Sequence, residues 1–191
     1  MADELRPGYE LYFAYGSNML SGRLMKRGIE TVKVGNATLA GHTLRFHKRS
    51  VRDGSGKADA PRTDNPDFLV HGVVFKIPEI QLPILDKFEG VPSYSRKKVA
   101  VRTADGSLLT AWTYLANTHA IDPTLKPYTW YHGLVRYGAE EQGFPEDYRK
   151  SIDSIPAATD PEPNRDDKIE AEALVAEYLE SRRRVSLKTM G

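Results

Sequence analysis

Cysteine is absent from this 191-residue chain. Its absence excludes disulfides, thiolate metal sites and a cysteine nucleophile, and it is typical of proteins from a reducing compartment. The five histidines do not follow H-E-x-x-H or a comparable ligand spacing, so we expect no metal. Long apolar runs are also missing, and the chain begins with acidic residues rather than an apolar signal region. We therefore expect a cytoplasmic protein with no membrane partner.

An excess of charge of one sign is absent as well. Lys and Arg together number 27 against 26 Asp and Glu, so the overall charge does not favour nucleic acid as a partner. Basic residues are concentrated only in the polar segment 45–62 and at Arg182-Arg183-Arg184. Glycines and a proline in the first segment predict a solvated loop, with a contact surface for an acidic substrate or carrier as the alternative. Nucleic-acid binding through these segments rests on charge alone, and no nucleic-acid partner is expected.

The proline-rich stretch 156–163 divides the chain in two. Residues 1–155 are long enough for one domain with its own core. The stretch itself predicts an extended linker. Acidic residues come first and basic ones last in the segment 166–184, which suits the helix dipole and predicts a C-terminal helix that packs weakly. The expected organisation is a domain at 1–155, followed by a linker and helix at 156–191.

Apolar periodicity predicts both strands and helices within 1–155. Leu11–Tyr15 and Phe68–Ile77 have the composition of buried strands, and Asp105-Gly106 predicts a hairpin between two further strands. The remaining expected elements are two strands within 31–48, strands at 97–103 and 108–115, and helices at 20–28, 78–88, 128–141 and 146–155. The fold class is therefore α+β.

A tight polar turn, Tyr15 to Met19, follows the first apolar strand. Gly16 lets a ligand approach the main chain because it carries no Cβ, and the N–H groups of Ser17, Asn18 and Met19 offer donors to an anion or oxyanion. This pattern favours a binding loop between strand and helix. The alternative is that Ser17 or Asn18 only caps the helix that follows.

Glu89 stands at the last turn of the helix predicted at 78–88, before Gly90. The C-terminal end of a helix dipole opposes a carboxylate by about 0.3 to 1 kcal/mol, an unfavourable position for a purely structural glutamate. A carboxyl group whose charged form is disfavoured is suited to passing a proton in both directions. The alternative is a surface glutamate beside Lys87.

Four motifs occur in an order that resembles the gamma-glutamyl cyclotransferase family. They are Tyr15-Gly16-Ser17-Asn18, Glu89-Gly90-Val91 after Leu85-Asp86-Lys87-Phe88, Tyr94-x-Arg96, and Tyr137 to Pro145 with Tyr148. The resemblance spans about residues 9–155. It implies a gamma-glutamyl-cyclotransferase-like fold, in which a small mixed β-barrel closes on itself and is flanked by helices.

The resemblance also implies a reaction without a cofactor, in which a γ-glutamyl amine gives 5-oxoproline and the free amine. The turn Tyr15 to Met19 would cradle the glutamyl group, Glu89 would be the general acid/base, and Tyr94 and Tyr131 would line the same pocket. Asn18 argues against glutathione, because the glutathione-specific branch typically has another residue there.

The sequence leaves several matters open. The identity of the leaving amine, the role of the last helix and the oligomeric state, for which a homodimer is one option, are not determined. The alternative function is a non-catalytic module that binds a γ-glutamyl or other acidic ligand.

Overall fold

The computed structural model describes residues 8–189, with side chains described for 8–185. Five strands form a closed barrel in the order β1-β5-β2-β6-β7. They are β1 (Tyr9–Ala14), β2 (Val32–Ala40), β5 (Leu69–Pro78), β6 (Tyr94–Thr103) and β7 (Leu108–Ala116). A separate hairpin pairs β3 (Arg45–Arg49) with β4 (Gly56–Asp59). The predicted α+β class with a small closed barrel is confirmed.

The barrel is organised by β5, which pairs antiparallel with both β1 and β2. Its β-branched residues Val70, Val73, Val74 and Ile77 are fully buried, as the apolar run predicts. β6 and β7 form the hairpin expected from Asp105-Gly106. A parallel contact between β1 and β7 closes the barrel. This closure brings β1 and β7 side by side and places the turn after β1 next to them.

Helices flank the barrel. They are α1 (Arg23–Lys26), α2 (Leu82–Glu89), α3 (Thr129–Glu141), α4 (Glu146–Asp153) and α5 (Asp166–Thr189). A 3-10 turn, Glu79–Gln81, precedes α2 and leaves Pro83 in the first turn of the helix, where its missing N–H is tolerated. α1 is shorter than the predicted 20–28, because Ser17–Met19 forms a separate 3-10 turn and Gly22, at φ +85°, precedes the helix.

The segment 45–62 is not the solvated loop that its charge predicted. β3 and β4 pair with Arg45 opposite Asp59 and Lys48 opposite Lys57, and burial alternates along β3 so that Phe46 and Lys48 are inside. β3 overlaps the second of the two strands expected within 31–48. β4 was missed because it is short and polar, and Asp53-Gly54, a good turn pair for a hairpin, did not distinguish the turn from a loop.

The segment after residue 155 is tied to the rest of the protein by polar and apolar contacts. Nε1 of Trp130 on α3 donates to Asp160, a buried carboxylate that also pairs with Arg165. Ala171 and Leu174 of α5 are buried in the main core. The segment therefore packs more closely against the rest of the protein than the predicted extended linker and weakly packed helix would. The division into 1–155 and 156–191 stays a prediction, as does the homodimer.

Among the described residues, no helix combines the length and hydropathy needed to cross a membrane.

Candidate active site

Glu89 is the last residue of α2, and two side chains from the first thirty residues hold its carboxylate. Asn18 Nδ2 donates to Oε1 of Glu89 at 2.8 Å, and Arg27 Nη1 donates to the same oxygen at 3.2 Å. Arg27 Nη1 also donates to Oδ1 of Asn18 at 2.9 Å. The three side chains therefore form a closed hydrogen-bonded triangle.

The triangle gives the two oxygens of the Glu89 carboxylate different surroundings. The side chains of Glu89 and Arg27 are only 18% and 11% exposed, so Arg27 offsets the unfavourable helix end at short range. Oε1 accepts both hydrogen bonds, whereas no described residue donates to Oε2. Glu89 is thus not a surface glutamate beside Lys87. It is an anchored carboxylate with one oxygen available to a ligand.

A small cavity of about 300 Å³, here called the inner cavity, lies beside Glu89. Its walls are formed by the turn after β1, the β3–β4 hairpin, the barrel and α3. The lining residues are Tyr12, Tyr15, Gly16, Ser17, Asn18, Ala58, Glu89, Tyr94, Tyr114 and Tyr131. Every site residue expected from the sequence is among them except Met19.

Hydroxyl groups fix the shape of the inner cavity by bonding to neighbouring main chain. Tyr15 Oη donates to the carbonyl of Tyr114, and Tyr94 Oη donates to the carbonyl of Ala58. The N–H of Ala58 donates to Tyr131 Oη at 3.1 Å. The hairpin residue Ala58 is therefore held from both sides by tyrosines, one on β6 and one on α3.

These tyrosines are neutral at physiological pH. Burial raises the pKa of Tyr12, Tyr15 and Tyr94 well above the ordinary value of 10, and it raises the pKa of Tyr131 to about 12. Glu89 is the only carboxylate among the described residues that line the inner cavity.

The turn after β1 approaches the cavity through its main chain. A Cβ on Gly16 would lie 3.2 Å from Cβ of Ala58 and 3.6 Å from Tyr131 Oη, so a side chain there would press against the hairpin. Among the described residues, no group accepts a hydrogen bond from the N–H of Ser17 or Asn18. Those two groups remain as donors to a ligand.

Two expectations about this turn need correction. The N–H of Met19 donates to the carbonyl of Gly16 at 3.1 Å and its side chain is fully buried in the core, so Met19 does not line the cavity. Ser17 and Asn18 do not cap α1, which is preceded by Gly22 without a side-chain cap. The side chain of Asn18 bonds to Glu89 instead.

A larger space of about 740 Å³, here called the outer cleft, adjoins the inner cavity. The two share four lining residues, Ser17, Glu89, Tyr94 and Tyr131. The outer cleft is otherwise rich in charge. Its charged lining residues beyond Glu89 are Arg23, Lys48, Arg52, Asp53, Lys57, Lys87 and Asp167. Asp167 belongs to α5, so the C-terminal segment contributes to this wall.

Sequence reasoning missed Tyr12, Ala58 and Tyr114 in the inner cavity, and Arg27 beside Glu89. Tyr12 and Tyr114 lie in apolar strands, where a tyrosine is indistinguishable from a core residue until barrel closure is known. Arg27 directly precedes Gly28, the predicted end of the first helix. That position was the one feature of the sequence that could have singled out Arg27. Among the described residues, no cluster of three or more His, Asp or Glu side chains could hold a metal ion.

Comparison with known proteins gives consistent matches. A model of the AIG2-like family matches residues 69–152. Gamma-glutamylcyclotransferase from Bos taurus is 33% identical over 150 residues, which cover 76% of this chain and 78% of that protein. The Mus musculus protein of the same name is 32% identical over 151 residues, with the same shares covered.

A solved structure described as gamma-glutamyl cyclotransferase superposes with a TM-score of 0.78 at 27% identity, covering 88% of this chain and 99% of that chain. The fold, the order of the motifs and these relatives agree. The chain therefore belongs to the gamma-glutamylcyclotransferase family and is an enzyme of that family.

Proposed function

We propose that this protein converts a γ-glutamyl amine into 5-oxoproline and the free amine, with Glu89 as the general acid/base. One observation carries the proposal: Glu89 lines both the inner cavity and the outer cleft, with Oε1 anchored and Oε2 without a protein donor. A scissile bond placed at this boundary has the glutamyl group on one side and the leaving amine on the other. The names of the relatives support the same reaction.

The reaction requires two proton transfers in opposite directions. The substrate's α-amino nitrogen attacks its own γ-carbonyl carbon and loses a proton to Glu89, which gives a tetrahedral intermediate with a charged oxygen. As the intermediate collapses, the carbonyl forms again, the bond to the leaving nitrogen breaks, and Glu89 returns the proton to that nitrogen. A single carboxyl group serves both steps, and the atoms balance without a co-reactant.

The turn after β1 supplies the remaining chemistry. The N–H groups of Ser17 and Asn18, which have no acceptor among the described residues, are suited to hold the charged oxygen of the intermediate. Because nucleophile and electrophile belong to one molecule, the other requirement is to hold the glutamyl chain curled. A cavity whose tyrosines are fixed to the main chain, such as Tyr15 and Tyr94, favours one curled shape.

The decisive test is Glu89→Gln, which preserves shape and hydrogen bonding but cannot carry the proton. We expect 5-oxoproline release to fall by roughly 10²- to 10⁴-fold, while 5-oxoproline still binds by calorimetry. Glu79→Gln, an exposed glutamate in the turn before α2, is the matched control and should keep full turnover. Full turnover by Glu89→Gln would reject the mechanism.

The test also separates the enzyme from the alternative, a non-catalytic binding module. A panel of γ-glutamyl amines is incubated with the unmodified protein, and 5-oxoproline is detected. Binding of these compounds without any release of 5-oxoproline would reject the proposed reaction and favour the module.

A further inference from the structure

Lys48, on β3, has a buried side chain and no direct ion pair, although the carboxylates of Glu89 and Asp53 are near enough to attract its charge. The residue is only 4% exposed, yet no described residue forms a hydrogen bond or ion pair with its ammonium group. Its partner is the ring of Tyr94, with Nζ 4.5 Å from the ring centre. The buried stem presents the ammonium group to the outer cleft, where an anion can reach it. A cation placed in this way is suited to bind a negatively charged group of a ligand.

The lysine across the hairpin makes the contrast clear. Lys57 is paired directly opposite Lys48 in the register. Its Nζ donates to Asp53 at 2.7 Å and to Ser55 at 2.9 Å, and it lies over the rings of Trp130 and Tyr131. Lys57 thus has an ion pair and a further hydrogen bond within the protein, whereas the ammonium group of Lys48 has neither.

The other cations of the outer cleft either have a direct ion pair or are exposed. Arg23 pairs with Glu170 at 3.0 Å, and Arg52 pairs with Asp167 at 3.1 Å. Lys87 is exposed on the surface of α2. Among the described residues of the cleft, Lys48 is therefore the cation with a buried side chain that lacks a direct ion pair.

The position of Lys48 tells which part of the substrate it meets. It lines the outer cleft and is absent from the lining of the inner cavity. Its Nζ lies 3.8 Å from where a Cβ on Gly90 would be, and Gly90 directly follows Glu89. An anion held by Lys48 is thus beside the general acid/base, on the side opposite the glutamyl pocket.

We propose that Lys48 is a specificity-determining residue whose ammonium group binds a carboxylate carried by the leaving amine. This inference rests on the proposed function. A carboxylate on the carbon that bears the leaving nitrogen is close enough to the scissile bond to reach Lys48 while Glu89 protonates that nitrogen. Amines without a carboxylate offer the Lys48 ammonium group no anion, and their substrates react less efficiently.

The test uses a pair of substrates that differ only in that carboxylate, γ-glutamylalanine and γ-glutamylethylamine. We expect the unmodified protein to favour γ-glutamylalanine by roughly 10- to 100-fold in kcat/KM, as for a hydrogen bond between charged groups. Equal kcat/KM values for the two compounds would overturn the proposal without any variant being made.

Variants then assign the preference to Lys48. In Lys48→Met the ratio of the two kcat/KM values should fall toward one, and in Lys48→Arg most of the preference should remain. Lys97→Met is the matched control, because it removes an exposed lysine of β6 that lines neither the inner cavity nor the outer cleft and should leave the ratio unchanged. Equal losses on both substrates in Lys48→Met would mean a structural role and would overturn the proposal.

Failure of the proposed function is distinguishable from failure of this inference. If the unmodified protein converts neither compound, the cyclisation is rejected, and calorimetric affinities for the same two compounds decide the role of Lys48. A preference for γ-glutamylalanine that disappears in Lys48→Met then supports carboxylate binding. Equal affinities overturn it.

Discussion

Asn18 and Glu89 lie 71 positions apart in the chain, yet Nδ2 of Asn18 donates to Oε1 of Glu89 at 2.8 Å. The binding turn and the helix-end carboxylate are therefore one unit. The amide keeps Oε1 occupied and orients the carboxylate, which leaves Oε2 for the substrate. Asn18 also presents its main-chain N–H in the same turn, so its two polar groups have different roles.

Asn18→Leu should separate these roles, because it removes the side-chain donor and keeps the N–H. We expect kcat to fall by roughly 10- to 100-fold as the carboxylate loses its orientation, with a smaller change in KM. In the Glu89→Gln background the same change should cost much less, because the two residues act together. If Asn18→Leu lowered kcat by the same factor in the unmodified protein and in Glu89→Gln, Asn18 would act independently of Glu89.

Gly138→Ala should disturb the turn from the other side. A Cβ there would lie 2.9 Å from the main-chain N of Leu20 and 3.1 Å from Cβ of Met19, so α3 and the turn must move apart. We expect the free energy of unfolding to fall by about 1 to 3 kcal/mol and kcat/KM to fall with it.

Gly133→Ala is the control on the same helix. A Cβ on Gly133 has no heavy atom within 4 Å, so alanine there should raise the free energy of unfolding by roughly 0.5 to 1 kcal/mol through helix propensity alone. Denaturant unfolding measures both variants. Equal effects at the two positions would contradict the close packing at Gly138.

Alkaline pH should destabilise the protein through the buried tyrosines. Burial raises the pKa of Tyr12, Tyr15 and Tyr94 in the folded state above their unfolded value of about 10. The folded state therefore binds more protons in this range. The stabilisation from these groups is fully present below the unfolded pKa and is lost as pH rises from about 10 through the folded values.

The measurement combines a thermal melt at each pH with the ultraviolet absorbance of tyrosinate. We expect Tm to fall above about pH 10, with part of the tyrosinate signal appearing only on unfolding. If all tyrosines titrated with the ordinary pKa of about 10 while the protein remained folded, that result would contradict the burial of these hydroxyl groups.

A chain ending at Ile155 tests the division predicted from the prolines. We expect it to fold, because the barrel and α1 to α4 remain, but to melt at a lower temperature. It loses the hydrogen bond between Asp160 and Trp130 and the buried side chains Ala171 and Leu174. Asp167 also leaves the wall of the outer cleft, so KM should change more than kcat.

A chain ending at Val185 is the control, since it keeps these contacts, and it should match the full chain in Tm and kinetics. An unfolded product from the cut at Ile155 would contradict the predicted boundary and would make α5 part of the folding unit.

The sequence was informative where a pattern is local. Apolar runs gave β1 and β5, Asp105-Gly106 gave the β6–β7 hairpin, and Gly90, at φ +75°, ended α2 where the helix signals placed the stop. Glu89 was found because its position at a helix end is locally unfavourable. Each of these features depends on a few neighbouring residues.

The features that were missed depend on distant residues. Tyr12 and Tyr114 face one cavity only because the barrel closes, and no local period distinguishes them from core residues. Arg27 reaches Glu89 across 62 positions. Lys48 has the charge of a surface residue, and its burial follows from the packing of the hairpin against the barrel. Local patterns alone could not identify these residues.

The β3–β4 hairpin contributes Ala58 to the inner cavity and Lys48 to the outer cleft. It lies outside the closed barrel, so its sequence can diverge during evolution without altering the barrel strands that precede α2 and the turn after β1. Relatives that have adapted to another leaving amine are expected to retain a small residue where Ala58 stands, because Gly16 packs against it. They should differ at Lys48, and lineages that release amines without a carboxylate should have lost the lysine there.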